Sequence, residues 1–234
     1  INARFVSISR ELGSDAIIDI TEPDYDVFNL RYVRSSPGLI NYSRYFVDYQ
    51  YASDFSKIAF NYEYRKLSKN NRNFGVRFFG GLFINNNTDP NSDYFSFALD
   101  RPTDYLFDFN YFGRSEDSGL FSQQIIIAEG GFKSQLEPAF ANQWMTTLNF
   151  WTSIWRYIHA YGDVGLVKNR NQNPVFVYDA GVRLVLVEDY FEIFFPVYSN
   201  LGWEIAQPNY DQAIRFMFTL DLKVLSSLFT RKWY

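Results

Sequence analysis

The chain has 234 residues, 47% hydrophobic and 21% charged, with 22 Lys and Arg against 26 Asp and Glu for a net charge of −4. It can therefore fill a sizeable core, is no disordered polymer, and lacks the basic field that nucleic acid would need as a partner. With no cysteine and a single histidine, His159, disulfide frameworks, thiol chemistry and multi-histidine metal sites are excluded within these residues, and no metal or cofactor is expected.

The chain opens on Ile1-Asn2-Ala3-Arg4, without the basic and apolar regions of an export signal, so an exported form is expected to have lost its leader. Strand signals follow almost at once. Residues 3–11 form the first candidate, and then Phe28, Leu30 and Tyr32 alternate with Asn29 and Arg31. Tyr45, Val47, Tyr49 and Tyr51 oppose Arg44, Phe46, Asp48 and Gln50, while Ile58, Phe60, Tyr62 and Tyr64 oppose Ala59, Asn61, Glu63 and Arg65. A period of two with one apolar and one polar face is the mark of a strand. The next candidates are 73–85, 94–99 and 105–111, where Tyr105, Phe107, Phe109 and Tyr111 share a parity, followed by 122–128. Between 138 and 155 no charge occurs, but polar residues interrupt the run and no membrane-spanning helix is expected there or elsewhere. Strands are then read over 143–154, 157–167, 175–187, 190–198 and 214–220.

That makes about a dozen strands, within a range of 10–14, several of them ten residues or longer. Strands of soluble domains run about 5–6 residues, whereas tilted strands crossing a bilayer need about 9–11. The connections 154–157 and 187–190 admit only tight turns, while 129–142, 169–174 and 199–212 are longer and rich in Asn, Gln, Pro and Gly. Short turns alternating with long loops are expected of an all-β, antiparallel transmembrane β-barrel with short periplasmic turns and longer extracellular loops. The barrel is expected over 1–221. After Asp221 the alternation breaks, and 222–234 reads as an amphipathic or strand-end tail at the periplasmic interface.

The faces sort by chemistry. Arg31, Arg44, Asp48, Glu63, Arg65 and Arg77 are expected in the lumen, with Asp108, Asp163, Asp179, Arg183, Glu192 and Arg215 completing a network of opposed charges. Arginine forks bridging carboxylates suit a tight interior better than a solvated face, which is usually rich in Lys and Glu. On the other parity Tyr45, Tyr49, Phe60, Tyr62, Phe107, Phe109, Phe216 and Phe218 are expected to face lipid as an aromatic coat. A network this dense is expected to fill the lumen rather than line an open channel.

Catalytic signals are sparse. His159 shares a strand face with Tyr161 and Asp163, but four residues of extended chain hold His159 and Asp163 about 13 Å apart, too far for a dyad. A cross-strand partner such as Asp179 remains as the one geometric route to a hydrolase using His159. The Asn- and Asp-rich segment 85–93 fits no defined calcium loop and reads as a solvated turn. Gly130-Gly131-Phe132-Lys133-Ser134 lacks the spacing and following helix of a phosphate loop.

Several stretches together resemble a known family. These are Asp100-Arg101-Pro102-Thr103-Asp104-Tyr105-Leu106-Phe107-Asp108, Gly113-Arg114-Ser115-Glu116 and Gly130-Gly131-Phe132-Lys133-Ser134. With them go Phe195-Pro196-Val197-Tyr198-Ser199-Asn200-Leu201-Gly202-Trp203-Glu204 and the closing Phe229-Thr230-Arg231-Lys232-Trp233-Tyr234. They resemble the carboxy-terminal region of large Bacteroidetes proteins of the gluzincin, or M1-like metallopeptidase, type, over most of the chain from Tyr94 onward. The zinc-binding His-Glu-x-x-His of that family is absent here, so no catalytic role passes to any residue and the chain itself is not expected to be an enzyme. The resemblance implies a barrel embedded in the outer membrane of a Gram-negative bacterium, anchoring a peptidase-like domain or serving as a structural subunit of a larger complex. Its partners would be lipopolysaccharide, phospholipid and other outer-membrane proteins. The alternatives are a narrow pore or transporter for small polar solutes and an outer-membrane hydrolase.

Overall fold

The computed structural model describes residues 1–10, 23–68, 72–89, 93–109, 119–187 and 189–219. Alternation becomes a meander of long antiparallel strands: β1 (Asn2–Ile8), β2 (Tyr25–Pro37), β3 (Asn41–Tyr51), β4 (Phe55–Ser68) and β5 (Arg72–Asn86). After a long insertion carrying the two-residue strands β6 (Phe97–Ala98) and β7 (Phe140–Ala141), it resumes with β8 (Trp144–Ser153), β9 (Ile158–Lys168), β10 (Val175–Val187) and β11 (Phe191–Ser199). β12 (Gly202–Trp203) and β13 (Arg215–Phe218) both pair with β11. The result is an 11-stranded antiparallel sheet in the order β1-β2-β3-β4-β5-β8-β9-β10-β11-β12, with β13 on β11 and β6-β7 a separate ribbon. Among the described residues helix is confined to short turns, of which α1 (Tyr210–Ala213) is one, and none of these helices is long and apolar enough to cross a membrane.

The two ends of the sheet differ. At one end β2 passes to β3, β4 to β5, β8 to β9 and β10 to β11 across only 38–40, 69–71, 154–157 and 188–190. At the other end lie 9–24, 87–143, 169–174 and 200–214, with 52–54 the one short link among them. The expected tight turns at 154–157 and 187–190 are therefore present, and so are the longer connections at 169–174 and 199–212.

Three expected strands are corrected. Of 94–99 only Phe97–Ala98 is a strand, and neither the described part of 105–111 nor 122–128 joins the sheet as a strand. These stretches belong to the insertion, whose described residues pack as a plug against the inner face of the sheet. From Phe95 to Leu106 nearly every residue of both parities is buried, because this chain is enclosed on all sides instead of dividing two environments. Asp104 turns the chain locally by accepting the amides of Asp108 (2.6 Å) and Phe109 (3.1 Å), and Phe107 takes a left-handed φ of 55°. The expected tail 222–234 lies outside the described residues, as does part of the loop 85–93.

The sheet path does not close among the described residues: the second edge of β1 carries no strand. The plug reaches both borders of this seam. Arg4 of β1 donates to the Asp108 carboxylate (2.6 and 2.8 Å) and to the Leu106 carbonyl, while the Ile125 amide donates to Phe216 O of β13 (2.9 Å).

Burial is inverted relative to a sheet in water. The face turned to the plug holds Asn29, Asp48, Lys57, Arg77, Asn149, Asp163, Asp179, Arg183 and Glu192, all buried, whereas Phe28, Leu30, Tyr32, Phe60, Phe78, Leu148, Phe150 and Phe176 on the other face are exposed. The main apolar core lies toward the long-connection end, where Val27, Phe55, Phe83, Met145, Val167 and Val177 of the sheet meet Phe95, Phe97, Leu99, Phe132 and Leu136 of the plug. Gly81 is required at that contact, since a Cβ there would stand 2.7 Å from the Phe97 ring.

Candidate functional site: a polar belt and an interior cavity

Strand register sets a row of polar residues across eight strands. Ser35 faces Arg44, Arg44 faces Glu63, Glu63 faces Arg77, and Arg77 faces Asn149. The row continues through Asp163 and Asp179 to Ser199. Because successive partners lie directly opposite, their side chains share one face and one level of the sheet.

The plug covers one half of this belt. Lys133 Nζ lies 2.7 Å from Asp163, whose other oxygen accepts from Asn149 Nδ2 (2.9 Å). Asn149 Nδ2 also donates to Gly130 O (3.0 Å), and the amides of Lys133 and Ser134 both donate to Asp179 (2.8 Å each). Ser134 Oγ donates to the buried Glu204. The glycine loop that superficially matches a phosphate loop thus clasps a carboxylate of its own chain. Gly131 adopts φ 71°, and a Cβ on it would come within 2.8 Å of Arg77 Nη1.

The rest of the expected charge network is largely on the same face. Arg31 bridges Asp48 (2.8 Å) and Asp108 (2.9 Å), and Asp48 also accepts from Asn29 and Gln50. Asp108 comes from the plug and not from a strand, a correction to its expected place. Burial disfavours its charge, but the hydrogen bonds from Arg4 and the field of Arg31 win and hold its carboxyl below the usual carboxylate range. Arg65 ties Glu63 to Asp189 of the β10–β11 turn (2.6 and 2.7 Å), reaching from β4 across the inner face of the sheet. Arg183 donates to Glu192 (2.9 Å), Arg215 is buried in β13, and Arg44 is exposed at the rim.

His159 is buried, with Nδ1 3.1 Å from Arg183 Nη2. Its partners across the sheet are Ser153 and Arg183, so the expected route through Asp179 is not formed; Asp179 stands opposite Asp163. A neighbouring guanidinium withholds the carboxylate support that a histidine base draws on. Among the described residues no group of three or more His, Cys, Asp or Glu is placed to hold a metal ion.

Of the residues expected to face lipid, Phe60 and Tyr62 are exposed, and Tyr45 and Tyr49 are half-buried. Tyr32, Tyr45, Phe60 and Phe78 form a ladder of rings 6.0, 6.4 and 6.2 Å apart. Phe216 and Phe218 face Ile193 and Phe191 of β11. Phe107 and Phe109 lie off the sheet, and Phe109 lines the interior, so neither belongs to the outer face.

Several interior residues escape the sequence reading. Lys57 is fully buried, donates to Phe95 O (2.6 Å) and sits among the rings of Phe97 (4.5 Å), Tyr105 (5.2 Å) and Phe83 (5.3 Å). Its place on the parity of Asn61, Glu63 and Arg65 was a readable signal. Lys133 and Glu129 come from irregular chain, where no period exists. Burial pushes the Glu129 carboxyl up, against the pull of Lys57 and the bond from the Ala98 amide.

Between plug and belt lies a cavity of about 510 Å³, lined from β2 round to β13. A second, of about 620 Å³, opens among the short turns, and the two share Arg44, Glu63, Arg65, Trp151 and Asp189. Comparison of the chain with protein-family models, with curated proteins and with solved structures returns no match.

Proposed function

We propose that this chain is an outer-membrane β-barrel that acts as a membrane anchor or structural subunit, its lumen occupied by a plug and a charge network. The observation that carries the reading is the inverted burial: aromatic and aliphatic side chains cover the outside of the long strands while Arg, Asp, Glu and Lys are enclosed. Water does not favour such a surface, whereas hydrocarbon does. Aromatic residues at both rims fit headgroup level, with Trp155 and Tyr157 at the short turns and Tyr178, Tyr198 and Trp203 at the other end. On this reading the short turns are periplasmic, the long connections are extracellular, and the seam beside β1 is closed in the bilayer. Lipopolysaccharide and phospholipid are the immediate partners.

The resemblance to gluzincin-type proteins of Bacteroidetes supplies the body to be anchored, a peptidase-like domain on the periplasmic side. A reading frame ahead of Ile1 encoding His-Glu-x-x-His is the expected finding on that point.

The test of the barrel is biochemical. After washing with high salt and carbonate the protein is expected to remain with membranes, and unheated samples are expected to run ahead of boiled ones on a detergent gel. Release as a soluble protein would sink the membrane reading. Planar bilayers are expected to show background conductance only; a steady open-channel current would replace the structural role with that of a pore.

A further inference from the structure

Beside the plug's Gly131 the belt borders the cavity. There Arg77 is 5% exposed, donates one hydrogen bond, to Asn149 Oδ1 (2.9 Å), and packs over Phe79. Among the described residues no carboxylate lies within ion-pairing distance of Arg77, although its neighbour Arg65 is held by two. A buried guanidinium with this little compensation is costly unless something completes it.

The carboxylates of the cavity are not free to do so. Asp48 takes Arg31, Asn29 and Gln50, Glu63 and Asp189 both take Arg65, Asp104 takes the amides of Asp108 and Phe109, Asp108 takes Arg4 and Arg31, Glu129 takes the Ala98 amide, and Glu192 takes Arg183. What Arg77 itself lacks is a carboxylate in contact, its one hydrogen bond going to an amide oxygen. Across the belt the plug meets the opposite demand by setting the Lys133 ammonium on Asp163.

We propose that the interior cavity binds a small organic carboxylate, its charged end on Arg77 and its apolar body against the rings of Phe79, Trp151 and Tyr161, entering from the short-turn end past Arg44. The volume lies within the range of about 300–1,000 Å³ usual for small-molecule sites. A planar guanidinium beside aromatic walls matches a carboxylate on a compact hydrophobic body. Entry from the short-turn end follows from the shared lining of the two cavities, since the apolar plug core stands toward the opposite end. Arg44, exposed and lining both cavities, is placed to draw the anion in. The site needs only the sheet and its plug, so its test is independent of whether the chain sits in a bilayer.

The experiment is a fluorine NMR titration of the full chain in detergent micelles with 4-fluorophenylacetate, using the neutral 4-fluorophenylacetamide as control and protein-free micelles as blank. The expected result is saturable binding of the acid and not of the amide. R77Q should weaken it by at least about tenfold, as loss of a charge-assisted bond does. R44E, which alters a rim residue whose side chain makes no hydrogen bond or ion pair among the described residues, should weaken binding or slow association several-fold. No saturable binding of the acid to the wild-type chain, or equal binding of acid and amide, overturns the proposal. If R77Q fails to fold, R44E decides: an unchanged affinity and association rate overturn it.

Discussion

At Asp163 the chain encloses a carboxylate whose charge is answered by a side chain from a different part of the fold, Lys133, and both are nearly inaccessible. Desolvating two ions is expensive, so the pair is a source of specificity more than of net stability. Removing one partner leaves a buried charge alone. Asp163→Asn is expected to lose about 3–5 kcal/mol in denaturant unfolding, because the Lys133 ammonium stays behind. The double variant Asp163→Asn with Lys133→Met should recover most of that loss. If the double variant is as unstable as the single one, the pair is not what fixes the plug. Lys57 shows another solution to the same difficulty: its ammonium meets a carbonyl and a box of ring faces in place of a carboxylate.

The plug is the element that sequence periodicity misses, and it is also the one that holds the seam. For β10 the alternation locates 175–187 at both ends, because over most of that strand a buried face alternates with a more exposed one. Within 94–99 and 105–111 alternation is present but the two environments are not. Pro102, the Asp104 turn and the left-handed Phe107 mark chain that bends to fill a volume. The belt was legible in part, since its strand residues follow from parity, but which of them meet depends on registers that only pairing fixes. Lys133 and Glu129, on irregular loops, carried no periodic signal at all.

Where the plug meets β1, the Arg4–Asp108–Arg31 cluster gives a pH signature. The Asp108 carboxyl is held below its ordinary value, so its contribution is present above the usual carboxylate range near pH ~4 and is lost as pH falls through the depressed value. Asp108→Asn is expected to be less stable than wild type by about 1–2 kcal/mol at neutral pH, allowing for the partial exposure of the cluster. That gap should close in unfolding measurements made at low pH. A gap independent of pH would show that the carboxylate charge is not what ties the plug to β1.

For the whole molecule, the contrast between the ends separates two kinds of strand joint. β3 and β4 are neighbours across a link of three residues, whereas β5 reaches β8 only after the 57 residues of 87–143, whose described parts pack against the inner face of the sheet. Closing that loop costs about 2–3 kcal/mol more chain entropy than closing a three-residue turn. Loop-closure entropy therefore predicts two meanders, β1–β5 and β8–β11, formed before the β5–β8 register joins them. Leu148→Ala, opposite Phe78 in that register, is therefore expected to speed unfolding in micelles while leaving the refolding rate nearly unchanged. Tyr45→Ala, opposite Tyr62 within the first meander, should slow refolding instead, and the reverse pattern would show that the two halves come together first. The insertion that packs against the inner face of the sheet is thus also expected to set the order in which the strands on either side of it are assembled.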